Sequence, residues 1–293
     1  MTRIALLSDI HGNLPALERV IKDMRQFAPE HVVVAGDMVN WGPFSAEVMQ
    51  IIHENRWTMI RGNNEYYCIN TLPPRRPDSW ADYTMLEWLH EQLRDWHHVI
   101  AGLADDLLLL YPDAPDVHLC HGIPGNCWTG IYSAEFDNDN RVSDWLSLSR
   151  ARTVFCGHTH IPLNRLSGSY HILNPGSVGV PILGDPVSSY MIIDGTQEGW
   201  KLVQHRTLPL DVSVLRSAWQ QQRFVERCGV TAPMVIEEFE RSRIVVHSFN
   251  AWMQKEHPYE TATHEHGQSF LMIDPSPYTP KSWLQSTQRQ YLP

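Results

Sequence analysis

The chain reads as an α/β protein that ends in a helical extension, and three features of its 293 residues predict this. Short apolar runs alternate with helix-periodic segments over roughly the first sixty positions. Short strands with turn signals follow between Leu163 and about Arg206. Beyond Pro209 the composition shifts to helix.

Taken in order, Arg3 to Ser8 is an apolar run of strand length, and Asn13 and Pro15 signal a helix start. Leu14, Leu17, Val20, Ile21 and Met24 then share one helical face. His31 to Ala35 is β-branched and reads as a buried strand, Ala46 to Glu54 as a helix, and Trp57 to Ile60 as a third strand. This order predicts a sheet that begins parallel, with right-handed crossovers. Residues 71–79 look like a loop, and Ser79 to Trp96 like one helix. Asp106 to Leu110, Val117 to Cys120 and Thr153 to Cys156 are expected strands, with a helix at Arg141 to Ser149. Turns at Ser167-Gly168 and Asp194-Gly195 predict hairpins. Val212 to Arg227 and Ile236 to Lys255 read as helices broken by Gly229 and Pro233, and the Pro/Ser/Gln-rich tail from Pro275 as poorly ordered.

A hydrophobic fraction of 43% and a net charge of −10 describe an ordinary but acidic globular chain. Acidity argues against a nucleic-acid polymer or an anionic membrane as partner, because both demand clustered Lys and Arg. It leaves phosphorylated small molecules open, since bound metal ions invert the local sign of charge. Only Ile4 to Leu7 are apolar before Ser8-Asp9, too few for a signal core, and no run approaches a membrane span. The five cysteines, none at C-x-x-C spacing, read as free thiols. A cytoplasmic location is the expectation.

The chemistry sits where strands end. Five strands run into Asp9-Ile10-His11, Gly36-Asp37, Gly62-Asn63-Asn64-Glu65, His121-Gly122 and Gly157-His158-Thr159-His160. In an open α/β sheet, ligands gather beyond the carboxyl ends of strands. Each piece alone is ordinary: Gly-Asp is often a turn with a helix cap, and His-x-His can be a cross-strand pair. Five in this order point to metal ligation, and carboxylate, imidazole and amide oxygen suit Mn, Fe, Zn, Co or Ni. Seven candidate ligands exceed what one catalytic ion takes, so two divalent ions are expected.

The ordered set resembles the signature of the calcineurin-like metallophosphoesterase superfamily, over roughly residues 1–207. Gly36-Asp37-Met38-Val39-Asn40-Trp41-Gly42-Pro43, His121-Gly122-Ile123-Pro124 and Asn174-Pro175-Gly176-Ser177-Val178-Gly179 are similar to motifs of its bacterial and archaeal small-phosphodiesterase branch. The resemblance implies two packed mixed β-sheets flanked by helices, with residues 1–207 as catalytic domain, 208–274 as a cap or dimer arm, and 275–293 as tail. It implies that Asp9, His11 and His160 bind one metal, that Asn63, His121 and His158 bind the other, and that Asp37 bridges both. Manganese is the leading metal. Two such ions would share a hydroxide aimed at phosphorus and neutralise the phosphate oxygens. The implied substrate is a small or nucleotide-like phosphodiester or pyrophosphate. A phosphomonoesterase or protein phosphatase is the near alternative, and a scaffold like the retromer's phosphoesterase-like subunit the distant one.

Asn64 stands where much of the superfamily has a histidine thought to orient phosphate or protonate the leaving oxygen. An amide can donate a hydrogen bond but supplies no proton. Glu65 is expected either to orient Asn63 or to cap the following helix. For the substrate, Trp41, Trp128 and Tyr132 can stack on a nucleobase or simply pack, and Arg61, Arg75 and Arg76 can meet phosphate or solvent. His264-Glu265-His266 reads as an exposed polar turn.

Overall fold

The computed structural model describes residues 1–72, 74–80, 83–132, 141–281 and 283. Strand β1 (Thr2–Leu7) organises the first sheet by simple alternation. Ile4 and Leu6 face one way into one apolar cluster, and Ala5 and Leu7 the other way into a second. β1 pairs in parallel with β2 (His31–Val34), which pairs in parallel with β3 (Thr58–Met59). The crossovers are α1 (Leu14–Met24) and α2 (Ser45–Glu54). The side chain of Asn13 caps α1, and Leu17 and Val20 pack beside Ala5 and Leu7. On the other side of β1, β9 (Val187–Thr196) and then β10 (Gly199–Pro209) add antiparallel, giving the order β10-β9-β1-β2-β3.

The second sheet has the order β4-β5-β6-β8-β7, from β4 (Asp106–Tyr111), β5 (Ala114–Cys120), β6 (Thr153–Phe155), β7 (Leu163–Ser167) and β8 (Tyr170–Asn174). Its inner residues Val117, Leu119, Phe155 and Leu173 meet Ile4, Leu6 and Val33 of the first sheet and Ile60 just beyond β3. Outside lie α1 and α2 on one face and α6 (Arg141–Ser147) on the other. The expected pair of mixed sheets with flanking helices is therefore present. Among the described residues no helix is long and apolar enough to cross a membrane.

Five expectations about the elements are corrected. The helix expected from Ser79 to Trp96 is a single turn at Asp78–Trp80 followed by α4 (Met85–Gln92), with residues 81–82 outside the described set. The Arg76 guanidinium donates to the Trp80 carbonyl, an acceptor that a continuing helix would need. Gly195 lies inside β9 rather than in a turn: a Cβ there would stand 2.5 Å from the Trp200 ring, so glycine makes room for the indole across the hairpin. The expected helix at 212–227 divides into α7 (Ser213–Gln221) and α8 (Phe224–Cys228) at the left-handed Arg223. The one at 236–255 divides into α9 (Thr231–Arg241) and α10 (Val246–Glu256) at the left-handed Ser242. Pro233 breaks nothing, because it sits in the first turn of α9, where no N–H is needed.

The helices after Pro209 build their own core, in which Trp219, Phe224, Phe239 and Phe249 pack with Trp41, Met85 and Trp88. Hydrogen bonds tie it down, among them Trp219 Nε1 to the Trp41 carbonyl at 3.1 Å and Gln222 Nε2 to the Pro43 carbonyl at 3.0 Å. α11 (His264–Leu271) joins through Phe270. In the tail, Ser276–Tyr278 forms a short turn and Trp283 is buried with Ile161, Ile182 and Ile244. Residues 284–293 of that tail lie outside the described set.

Candidate active site

Five strands, β1, β2, β3, β5 and β6, deliver their carboxyl ends to one edge, where all seven expected ligand residues converge. The backbone there is held in uncommon shapes. Asp9, His11, Asp37, His158 and His160 all have positive φ, between 50° and 68°. Such conformations persist only where surroundings over-determine them, and they concentrate at functional sites. Here the surroundings are backbone bonds between loops: Ile10 and His11 N–H both donate to the Asp37 carbonyl, and Gly179 N–H donates to the Asp9 carbonyl. Gly62 packs so close that a Cβ would lie 2.1 Å from Asp37 Oδ1. Ser8 and Ser177 are spent on backbone carbonyls, those of Ala35 and Asp9.

Around Asp9, His160 Nε2 lies 3.4 Å and His11 Nε2 3.9 Å from Oδ1, and the two imidazole nitrogens face each other at 3.1 Å. On the other side, Asn63 Oδ1 is 3.2 Å from His121 Nε2 and 2.9 Å from His158 Nδ1. Asp37 Oδ2 reaches both groups, 3.3 Å from His121 and 3.7 Å from His11. The rings of His121 and His160 are aimed from behind, with Nδ1 bonded to the Ala35 and Val180 carbonyls at 2.6 and 2.7 Å. That arrangement turns each Nε2 lone pair toward the centre, as at metal sites. His11 is stacked on Trp41, with ring centroids 4.8 Å apart.

Asp9 Oδ1 is buried and has no hydrogen-bond partner, although it is ringed by imidazole nitrogens. A buried, unpaired carboxylate oxygen is expensive unless a cation completes it. Two donor sets can hold a metal ion here, Asp9/His11/His160 and Asp9/Asp37/His121. Burial opposes ionisation of Asp9 and Asp37, yet His160 beside the first and His121 beside the second hold both below the usual carboxylate range. Burial, helped by the neighbouring imidazoles, pushes His11 down to about 4 and His158 to about 3. Burial also opposes charge on His121 and His160 but is outweighed there by Asp37 and Asp9 respectively, so both are raised, His121 to about 10. The site is thus built to hold positive charge between two carboxylates.

Asn64 does not point freely at a substrate. Its backbone N–H and its Nδ2 donate to Asp37 at 2.8 and 2.5 Å, and its Oδ1 accepts from Asn40 Nδ2 at 2.7 Å. Glu65 caps α3 (Asn63–Ile69) by accepting the Gly62 N–H at 2.6 Å. It also accepts the N–H groups of Asp37, Met38 and Val39, so one buried carboxylate fastens two ligand loops together. Burial, helped by Asp37, raises its pKa to about 7.

A cavity of about 520 Å³ opens above the cluster. Its floor holds His11, Asp37, Asn63, Asn64, His158 and His160. Tyr67, Trp80, Tyr83 and Trp128 form a wall, and α9, α10 and the loop after α10 supply the roof. Of the aromatic candidates, Trp41 is buried in the helical core although its edge meets the cavity, and Trp128 is 46% exposed at the cavity wall. Tyr132 packs on Trp283 and is not among the lining residues. Arg61 pairs with Asp105 and Arg76 with Glu87, and neither these two nor Arg75 lines the cavity. Sequence reasoning missed Tyr67, Trp80, Tyr83 and every roof residue, whose only signal was apolar helix periodicity. It also missed that His266 turns back to Glu260, which His257 meets from the other side. That trio can hold a metal ion, yet His266 Nδ1 accepts the Thr263 N–H, which suits Nε2 to donate to Glu260.

The sequence matches the calcineurin-like phosphoesterase superfamily domain over residues 2–198. It is 27% identical over 202 residues to the phosphodiesterase YfcE of Escherichia coli, covering 66% of this chain and 88% of that one. It is 25% identical over 213 residues to the uncharacterized protein MJ0912 of Methanocaldococcus jannaschii, covering 65% and 82%. In fold it is similar to a metallophosphoesterase from Sphaerobacter thermophilus, with a TM-score of 0.63 and 21% identity over 82% of this chain and 99% of that one. A hypothetical protein from Pyrococcus horikoshii gives 0.64 and 18% over 82% and 98%.

Proposed function

The chain belongs to the calcineurin-like phosphoesterase superfamily, in its bacterial and archaeal small-enzyme branch, and we propose that it is a dinuclear-metal phosphodiesterase. Asp9, His11 and His160 would hold one divalent ion, and Asn63, His121 and His158 the other, with Asp37 between them. The observation that carries this reading is the unpartnered Asp9 Oδ1 at the centre of converging imidazoles. The nitrogen and oxygen donor set suits Mn²⁺, and also Fe, Zn, Co or Ni. When bound, such ions acidify water and neutralise phosphate oxygens.

The chain's own residues do the positioning. Ala35 and Val180 carbonyls fix the tautomers of His121 and His160. Glu65 and Asn64 hold the Asp37 loop and carboxylate. Because Asn64 cannot give a proton to a departing oxygen, the reading favours esters whose leaving groups depart without one. The similarity to a named phosphodiesterase supports the diester over the monoester. Residues of α9 and α10 in the roof support a cap over the site, rather than a dimer arm, for the helical segment.

The test is hydrolysis of bis-p-nitrophenyl phosphate beside p-nitrophenyl phosphate, by chelated protein with and without Mn²⁺. The reading requires Mn²⁺-dependent turnover that favours the diester. Preference for the monoester would replace it with a phosphomonoesterase, and turnover of neither with any divalent metal would favour a scaffold.

A further inference from the structure

Among the described residues, the cavity above the site is lined by no lysine or arginine. Its lining carboxylates beyond the metal-site floor are Glu238 and Glu260. Proteins that bind polyphosphates or phosphomonoesters surround the extra negative charge with Arg or Lys. A phosphodiester carries one negative charge, a monoester nearly two at neutral pH. In this cavity any charge beyond the one at the floor would meet carboxylates and rings instead of cations.

What the wall does offer is aromatic surface. Tyr67 packs on Trp80 at 4.5 Å between centroids and stands perpendicular to Trp128, at 5.3 Å and 89°. Trp128 itself is 46% exposed. Opposite, α10 contributes the exposed amides of Asn250 and Gln254, which can donate and accept toward a polar ring edge. An exposed indole flanked by part-buried rings, beside uncharged hydrogen-bonding groups, suits a planar heterocycle.

Resting on the phosphodiesterase reading, we infer that this pocket selects singly charged phosphodiesters with an uncharged planar ring system, such as a nucleobase, on one arm. Pyrophosphates and doubly charged nucleotides are disfavoured. The wall's Trp128 and the roof's Asn250 and Gln254 are the specificity-determining residues.

The test compares two esters with the same leaving group, thymidine 5′-(p-nitrophenyl phosphate) and methyl p-nitrophenyl phosphate, on Mn²⁺-loaded protein. In both, the phosphorus–oxygen bond to p-nitrophenolate breaks, a water oxygen takes its place, and the two protons of that water pass to solvent, the monoester product keeping the second only as far as its own pKa demands. The thymidine ester should have a kcat/KM at least about tenfold higher, the size expected of one stacked base. Trp128→Ala should bring that ratio near one. A 3′-phosphate on the thymidine ester should remove about tenfold, and Gln254→Lys should restore most of it. Saturation-transfer NMR on metal-free protein should show magnetisation passing to the thymine ring protons, weakened in Trp128→Ala. Equal kcat/KM for the methyl and thymidine esters would overturn the ring preference. Equal rates with and without the 3′-phosphate would overturn the charge selection. Turnover of neither diester would overturn the phosphodiesterase reading beneath both.

Discussion

The strand-end loops and the helices after Pro209 both face one cavity, but they are built on opposite principles. The loops are backbone machines. Five of their ligand residues sit at positive φ, loop-to-loop N–H bonds hold them, and Glu65 gathers four more N–H groups. The helices are a packing machine, in which Trp219, Phe224 and Phe239 form a core anchored on Trp41 and Trp88. The first arrangement fixes individual donor atoms, whereas the second shapes a volume. Substitutions should therefore separate chemistry from confinement.

The sharpest break is Asp37→Asn. It should lower metal-dependent diester hydrolysis by about 10³-fold or more while circular dichroism reports an intact fold. A fully active variant would sink the bridging role. Next is Trp219→Ala, which removes a side chain only 2% exposed and should cost about 3–5 kcal/mol in urea unfolding. If the helices act as a separable cap, hydrogen exchange should accelerate in residues 213–256 and leave β1 and β2 protected. Uniform acceleration would merge the two regions into one cooperative unit.

Glu65→Gln should cost about 3 kcal/mol, because an amide donor replaces one of the two oxygens that accept four buried N–H groups, and should weaken metal binding along with stability. Loss of stability with unchanged metal affinity would show that the clamp serves the helix cap alone. The smallest effect belongs to the far side of the first sheet. There Asp23 is held below the usual carboxylate range, chiefly by hydrogen bonds from Arg206, then Tyr190. A carboxyl with a lowered folded pKa stabilises above its unfolded value near 3.9, and that contribution drains as pH falls further. Asp23→Asn should flatten this acid limb by about 1 kcal/mol and leave activity at neutral pH unchanged. An unchanged acid limb would remove Asp23 from the account.

The same contrast explains what could be read in advance. Asp9-x-His11, Gly36-Asp37 and Gly157-His158-Thr159-His160 are legible because each short stretch carries both the ligand and the turn that presents it. The parallel start of the first sheet followed from alternation and crossover rules, and the later hairpin turn was misplaced only where Gly195 served Trp200 rather than a bend. Trp80, Asn250 and Gln254 had no such signature, since what makes them cavity residues is where α4, α10 and their neighbours pack. The breaks at Arg223 and Ser242 were equally hidden, because left-handed non-glycine residues are set by context. Glu238, which closes the second break by accepting the Val245 and Val246 N–H groups, looks in sequence like any helical glutamate.

The central claim is that seven strand-end side chains form one two-ion centre. A crystal of the chelated protein soaked in Mn²⁺ and measured for anomalous scattering tests it directly. The account predicts two peaks about 3.5–4 Å apart, one beside Asp9, His11 and His160, the other beside Asn63, His121 and His158, with Asp37 between them. A single peak, or peaks elsewhere in the chain, would contradict it.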